Sequence, residues 1–177
     1  MTDNAVFLIT GPSAAGKSTV GRLLAATFPR GVFLEGDVFR RAIVTGRHEM
    51  TPDASAEARA QLRLRYRVAA AAADAYFAEG LTVVWVDVIA GPMLAQCVEL
   101  IRSRPLHVVV LIPSIETVAA REASRSTAGY THFSVEQLYD AFAETTPRLG
   151  LWLDTSDHTP ERTVAEILAA CGAGRVT

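Results

Sequence analysis

A loop near the amino terminus has the residue types and spacing that bind phosphate groups. The segment GPSAAGKS, from Gly11 to Ser18, matches the pattern G-x-x-x-x-G-K-[ST] in full. Glycines let backbone N–H groups turn inward around a polyphosphate, and the start of a following helix adds partial positive charge. We therefore predict that a nucleoside triphosphate binds at Gly11, Pro12, Ser13, Ala14, Ala15, Gly16, Lys17, Ser18 and Thr19.

Lys17 is the only lysine among the 17 lysine and arginine residues of the chain. A compact ammonium group on a flexible stem can follow a phosphate during transfer, which the rigid planar guanidinium of arginine does less well. We expect Lys17 to reach the β- and γ-phosphates of ATP, and the Ser18 hydroxyl to ligate Mg²⁺. The alternative is a glycine-containing turn with an incidental lysine, but strand, loop, lysine, hydroxyl and helix all fall in register.

A second group of charged residues follows the next predicted strand, in the segment LEGDVFRR. Ligands of open α/β sheets bind beyond the carboxyl ends of the strands, so Asp37 could accept a proton from a hydroxyl that attacks the γ-phosphate. Arg40 follows one helical turn later and could clamp an anionic or polar acceptor. The alternative is that Asp37 only caps the next helix and that Arg40 is a surface charge.

Asp87 lies near the end of the apolar run VVWVDV, where a carboxylate is costly without a partner. Water-bridged Mg²⁺ is one candidate partner, and the acceptor molecule is another. A structural alternative is that Asp87 caps the helix predicted after Gly91 and Pro92. The residues alone leave these three interpretations open.

Arg121 and Arg125 are spaced as neighbours on one helix face and precede a turn of Ser, Thr and Gly residues. In a lid of about residues 121–133 they would neutralise charge on the transferred phosphoryl group and exclude water. The alternative is a solvated face on which they pair with Glu116 or Glu122.

Arg59, Arg63 and Arg67 recur every four residues along the helix predicted for residues 55–79. This segment would border the cleft, so the three arginines could bind the acceptor. A solvated helix face explains the same pattern, and we favour it.

An alternation of strands and helices must position these candidate residues. Short apolar runs rich in β-branched residues predict strands at 5–10, 31–35, 81–88, 106–112 and 149–155. Helical patterns, with N-cap signals at Ser55, Ser134 and Thr159, predict helices at 17–27, 38–45, 55–79, 92–103, 115–126, 134–145 and 160–171. This order predicts an α/β doubly wound fold with a parallel sheet.

The composition favours a single domain over residues 1–177. Half of the residues are apolar, enough to bury one sizeable core, and the net charge of −2 favours neither nucleic acid nor an anionic membrane surface. Cys97 and Cys171 lack metal or disulfide spacing, and no signal-peptide pattern precedes the first strand. We therefore expect a cytoplasmic protein with a flexible tail at 172–177, and a homo-oligomer remains open.

In this order, the phosphate loop, the EGDVFR segment and the paired arginines resemble the small P-loop kinases of nucleotides and small molecules. The chain looks most like chloramphenicol phosphotransferase-like proteins, and LEGDVFR is similar to the D-G-D-N-x-R element of adenylylsulfate kinases. The resemblance implies a P-loop NTPase fold, a three-layer α/β/α sandwich with a five-stranded parallel sheet of order 2-3-1-4-5 and a lid. It also implies Asp37 as the catalytic base and Arg121 and Arg125 as lid residues.

The leading hypothesis is an ATP-dependent kinase that phosphorylates a hydroxyl of a small molecule, with antibiotics among the candidate acceptors. A nucleoside, nucleotide or adenylylsulfate-type kinase is an alternative enzyme. An ATP-binding regulatory switch is an alternative of another class. A GTPase-type switch is excluded, because its Asn-Lys-x-Asp motif would need a lysine besides Lys17.

Overall fold

The fold was analysed on a computed structural model that describes residues 4–124 and 132–171. Arg125, most of the predicted lid and the predicted tail lie outside these ranges. The described strands are β1 (Val6–Thr10), β2 (Gly31–Glu35), β3 (Thr82–Val86), β4 (Leu106–Leu111) and β5 (Leu151–Leu153). The described helices are α1 (Lys17–Ala26), α2 (Asp37–Arg41), α3 (Ala56–Ala78), α4 (Met93–Leu100), α5 (Ile115–Ala123), α6 (Val135–Asp140) and α7 (Pro160–Ala170), with a π-helical turn at Ala141–Thr145.

The five strands form one parallel sheet in the order β2-β3-β1-β4-β5. β1 lies at its centre, where Leu8 pairs with Trp85 of β3 and with Val108 of β4. Parallel neighbours need crossover connections, which explains why helical segments separate successive strands. The α/β class and the strand order expected from the sequence are confirmed.

Alternating strand side chains build a core on each face of the sheet. Leu8 and Trp85 belong to the cluster that includes buried residues of α3 and α4. Phe7 and Ile9 belong to the opposite cluster, which includes buried residues of α1 and α7. The fold is therefore a three-layer α/β/α sandwich, and burial on both faces accounts for the nearly continuous apolar strands.

Three helices begin at the polar residues that the sequence indicated. The hydroxyls of Ser55, Ser134 and Thr159 each accept a hydrogen bond from the backbone N–H three residues later. The Gln137 side chain in turn accepts a hydrogen bond from the N–H of Ser134, which completes a capping box. These caps fix where α3, α6 and α7 start.

α2 is shorter than the predicted helix at 38–45. It covers Asp37–Arg41, and its N-cap residue is Gly36, so Asp37 lies in the first turn and the N-cap interpretation of Asp37 is wrong. Beyond the helix, Val44 is 90% exposed, so its side chain does not stabilise a further turn by burial. The short helix leaves Asp37 and Arg40 at the end of the sheet.

The helix predicted at 134–145 is divided into α6 and the π-helical turn. In this turn Phe142 is fully buried, and the hydroxyls of Thr145 and Thr146 both donate to the Ala141 carbonyl. The Thr146 hydroxyl also accepts a hydrogen bond from the N–H of Gly91 at 2.7 Å. The turn thereby joins α6 to the loop that follows β3.

α3 is the longest described helix, with 23 residues, and it carries arginines and acids along its length. Within the two described ranges, no helix combines the length and the apolar character that crossing a membrane requires.

A buried ion pair fixes α3 against the end of β3. The side chain of Asp87 is fully buried and that of Arg65 is 15% exposed. Arg65 Nε donates to Asp87 Oδ2 at 2.9 Å, and Arg65 Nη2 donates to Asp87 Oδ1. Next to this pair, the Tyr66 hydroxyl donates to the Val88 carbonyl at 2.8 Å. α3 is therefore held to the sheet at two adjacent points.

Replacing Arg65 by methionine should destabilise the protein strongly, because the Asp87 carboxylate would stay buried without its cation. We expect R65M to lower the free energy of unfolding by about 3–5 kcal/mol, measured by urea denaturation.

The matched control is R63M, which makes the same change at an exposed position of α3 and should shift that free energy by no more than about 0.5 kcal/mol. The double variant R65M/D87N should recover part of the loss, since the buried charge is then removed. An R65M protein as stable as R63M would show that the ion pair does not anchor α3.

Candidate active site

The phosphate loop between β1 and α1 has a fixed, strained backbone. Ala14 has a φ of +61° and is the one non-glycine residue of the described chain in the left-handed region. This conformation costs an alanine roughly 1–2 kcal/mol, and such strain is concentrated at ligand sites. Gly11 has a φ of +146°, and a Cβ there would lie 2.2 Å from the Leu111 carbonyl oxygen. The loop therefore holds the shape of an anion cradle.

The amino-terminal end of α1 completes this cradle. Gly16 is the N-cap residue, no side chain caps the helix, and its first turn contains no acidic residue. Gly16, Lys17, Ser18 and Thr19 all line the adjoining cleft. The N–H groups of a first helical turn lack intrahelical partners and carry partial positive charge, so this end suits phosphate oxygens.

Lys17 and Ser18 make contacts that the sequence could not specify. Lys17 Nζ donates to the carbonyl oxygens of Gly11 at 3.0 Å and Pro12 at 2.7 Å, so the ammonium group folds over the loop. Ser18 Oγ donates to Glu35 Oε1 at 3.1 Å. The Ser18 hydroxyl and the Glu35 carboxylate place hard oxygen ligands together, as Mg²⁺ prefers.

A cleft of about 970 Å³ extends from the phosphate loop to α3. It brings together most of the residues that we predicted as functional: Ser13, Ala14, Gly16, Lys17, Ser18, Thr19, Asp37, Arg40, Asp87 and Arg121. Gly11, Pro12 and Ala15 belong to the loop but are not among the residues that line the cleft. The predicted nucleotide and acceptor residues thus share one space.

Three arginines surround the Asp37 carboxylate. Arg40 Nε lies 2.7 Å from Oδ1, Arg41 Nη1 lies 2.7 Å from Oδ2, and Arg65 Nη1 lies 3.5 Å from Oδ1. Partial burial alone would raise the pKa of Asp37. The Arg40 hydrogen bond and the charges of Arg40, Arg65 and Arg41 outweigh it and lower the pKa below the ordinary 3.8. The carboxylate is therefore held ionised and oriented.

Arg40 is less available to an anionic acceptor than the sequence suggested. Besides its contact with Asp37, its Nη1 donates to both oxygens of Glu49, at 2.7 and 2.8 Å. Arg47 Nε lies 2.9 Å from the same Glu49 carboxylate. Arg40 thus bridges two acids in the cleft wall.

Asp87 has a protein partner, Arg65, that none of the three interpretations from the sequence included. Its two oxygens accept from Arg65, and Oδ1 also accepts from the N–H of Val88 at 2.7 Å. Burial raises the pKa of Asp87, and Arg65 offsets only part of this effect. The cap interpretation is wrong, because Pro92 is the N-cap residue of α4. The predicted contacts of Asp87 with water-bridged Mg²⁺ and with the acceptor remain untested, and the carboxylate that accepts from Ser18 Oγ is that of Glu35.

Arg121 lines the cleft, and its Nη2 donates to the Thr155 carbonyl at 3.0 Å, which ties α5 to the segment after β5. Arg125, its predicted neighbour in the lid, lies outside the described residues. The other predicted stripe is apart from the site, since none of Arg59, Arg63 and Arg67 is among the residues lining this cleft. The solvated-face interpretation of that stripe therefore fits the geometry.

Sequence reasoning missed Arg65, Glu35 and Glu49. A signal for Arg65 existed, because it shares a helical face with Ala58 and Ala69, both of which are buried. An arginine on an otherwise apolar face needs a buried acid, and Asp87 needed a cation. Glu49 lies in an irregular segment after α2, where no periodic pattern indicates which side chains face the cleft.

Comparisons with known proteins agree with this geometry. The model of the AAA domain family AAA_33 matches residues 6–147, more than half of the chain. None of the curated proteins compared with the chain matches it significantly.

Three solved structures have a similar fold along nearly the whole length of this chain. A sugar kinase from Janibacter sp. is 18% identical, with a TM-score of 0.66 over 98% of this chain and 99% of that one. The tunicamycin resistance protein of Deinococcus radiodurans is 17% identical, with a TM-score of 0.67 over 98% and 97%. Shikimate kinase from Acinetobacter baumannii is 19% identical, with a TM-score of 0.65 over 99% and 97%.

The strand order, the phosphate loop and these similarities agree with the resemblance to P-loop kinases drawn from the sequence. The chain belongs to the AAA domain family AAA_33 and has the fold of the P-loop small-molecule kinases.

Proposed function

We propose that this protein is an ATP-dependent kinase that transfers the γ-phosphoryl group to a hydroxyl of a small molecule. One observation carries the proposal: a single cleft has a phosphate cradle at one end and the ionised Asp37 carboxylate in its wall. A hydrolytic switch would need the cradle but has no evident use for an acceptor space bordered by α3. The kinase fold of the similar structures supports the same choice.

Different side chains of the cleft have different roles in the proposed phosphoryl transfer. Asp37 accepts the hydrogen bond of the attacking hydroxyl and takes its proton as the oxygen bonds to the γ-phosphorus. The bond between that phosphorus and the bridging β–γ oxygen breaks, and the charge leaves with ADP. Lys17 and Arg121, both lining the cleft, would stabilise charge on the transferred group.

A Mg²⁺ ion would be held by the Ser18 hydroxyl and, through water, by Glu35, whose oxygen lies 3.1 Å from Ser18 Oγ. When bound, it neutralises charge on the β- and γ-phosphates.

Antibiotic alcohols belong among the acceptors to be tested. One structure with the same fold is a tunicamycin resistance protein, and the sequence resembles chloramphenicol phosphotransferase-like proteins. The residues of the cleft do not select one such compound, so the proposed function stands at the level of a hydroxyl acceptor.

A panel of hydroxyl compounds tests the proposal directly. Antibiotics, nucleosides and sugars are incubated with the protein, ATP and Mg²⁺, and mass spectrometry detects ATP-dependent gain of one phosphoryl group. With an accepting compound, D37N should lose about 10²–10⁴-fold in kcat, because the asparagine cannot take the proton. The control D53N makes the same change at an exposed position outside the cleft and should keep its rate. A folded D37N enzyme with the wild-type rate would remove Asp37 from the mechanism.

K17R tests whether the only lysine is needed as a lysine. The planar guanidinium cannot reproduce a single ammonium group that bonds two loop carbonyls, so we expect a folded protein that loses at least about 100-fold in kcat/KM. Circular dichroism checks the fold. An enzyme-coupled assay of ADP release measures the rate of phosphoryl transfer to an accepting compound. Activity retained by K17R would mean that we have assigned the loop wrongly.

The lowered pKa of Asp37 predicts how the rate depends on pH. A carboxylate whose pKa lies below 3.8 stays ionised as the pH falls from 7 to about 5, so kcat/KM should show no acidic limb from Asp37 in this range. R41M removes one of the cations that lower this pKa and should move the acidic limb to higher pH. An acidic limb near pH 6 in the wild-type enzyme would contradict the assigned ionisation.

A further inference from the structure

The acceptor end of the cleft already has its charges balanced. Three arginines that line the cleft, Arg40, Arg41 and Arg65, and the adjoining Arg47 each lie within salt-bridge distance of a carboxylate of the lining. These carboxylates are Glu35, Asp37, Glu49 and Asp87. An anionic acceptor group entering this end would have to separate one of these pairs. The acid that loses its arginine must then find water or another cation, which costs most at Asp87, whose side chain is fully buried, and less at the half-buried Asp37 and Glu49.

The remaining basic groups that line the described cleft do not supply a ready anion clamp at this end. Lys17 bonds carbonyls of the phosphate loop, and Arg121 bonds the Thr155 carbonyl. Lys17 is thus held at the phosphate loop, and Arg121 is held against the segment after β5. The other basic side chains among the described lining residues are the imidazoles of His48 and His132.

Apolar side chains fill much of the wall between the paired charges. The lining includes Met50, Leu62, Met93, Phe133 and Leu138, all of them half-buried. Leu62, Met93 and Leu138 also pack on the core cluster beneath α3, so their positions are fixed. A flexible thioether and an aromatic ring adapt well to the flat or irregular body of a small molecule.

We propose that the acceptor is an uncharged alcohol with an apolar or aromatic body, and that Glu49 is the residue that excludes acids. This inference rests on the proposed kinase function and narrows its substrate class. Asp37 receives the hydroxyl, the apolar wall packs against the body, and Glu49 occupies the guanidinium of Arg40 that would otherwise bind a carboxylate or phosphate. The nucleotide and adenylylsulfate alternatives bring anionic acceptors and are disfavoured on this ground.

Matched pairs of compounds test whether the protein prefers an uncharged acceptor. Each pair consists of a neutral and an anionic compound with a similar body and the same hydroxyl groups: 4-(hydroxymethyl)benzamide with 4-(hydroxymethyl)benzoate, and methyl shikimate with shikimate. We expect kcat/KM for phosphoryl transfer to favour the neutral member of an accepted pair by at least about 10-fold. Equal or better transfer to the anionic member would overturn the inference.

The variant E49Q tests the assigned residue. Without the carboxylate, Arg40 Nη1 loses its anionic partner, so the ratio of kcat/KM for the anionic member to that for the neutral member should rise at least about 10-fold. E99Q removes the same charge from an exposed position of α4 and should leave the ratio unchanged. An unchanged ratio in folded E49Q would show that Glu49 does not set acceptor charge.

Failure of the inference and failure of the kinase function give different results. Transfer to the anionic members, lost in K17R, would keep the kinase and reject the neutral acceptor. A protein that binds neither ATP nor ADP in calorimetry would reject both.

Discussion

The buried carboxylate at the end of β3 is the constraint on which the arrangement of the site depends. Asp87 emerges from an apolar strand into the interior, and a charge there is tolerated only with a cation beside it. Arg65 supplies that cation, so α3 must pass close over the end of the sheet. The same guanidinium reaches Asp37 from its other side, at 3.5 Å. One arginine therefore determines both where the wall of the cleft stands and how the second acid is oriented.

The cleft is electrostatically divided. At its loop end, the N–H groups of the first turn of α1 and the Lys17 ammonium group carry positive charge, and that turn contains no acid. From Glu35 beside Ser18, arginines and carboxylates pair in a chain that runs through Asp37 to Glu49 and the acceptor end. Such a division favours a polyanion in one half and an uncharged molecule in the other, because desolvation costs fall on unpaired charges. Acceptor specificity then depends on which arginines already have carboxylate partners, as well as on the groups that contact the acceptor.

Most of the strands and helices could be predicted from the sequence, whereas the contacts between the charged side chains of the site could not. Apolar runs and caps such as Ser55 and Thr159 indicated the strands and helices, because periodicity and capping act locally. The site residues nearest to secondary-structure ends, Lys17, Ser18, Asp37 and Arg121, were placed together for the same reason. The partner of Asp87 was missed, since that contact joins positions 22 residues apart in sequence. Glu49 was missed because its segment has no regular structure to orient it.

The left-handed backbone of Ala14 has a consequence for binding. A loop that the fold itself holds in this conformation loses its conformational freedom on folding, so a ligand that binds it bears less of that entropic cost. The bonds of Lys17 to the carbonyls of Gly11 and Pro12 hold its ammonium group over the same loop. Nucleotide affinity then depends on the contacts that the loop offers more than on the cost of ordering it.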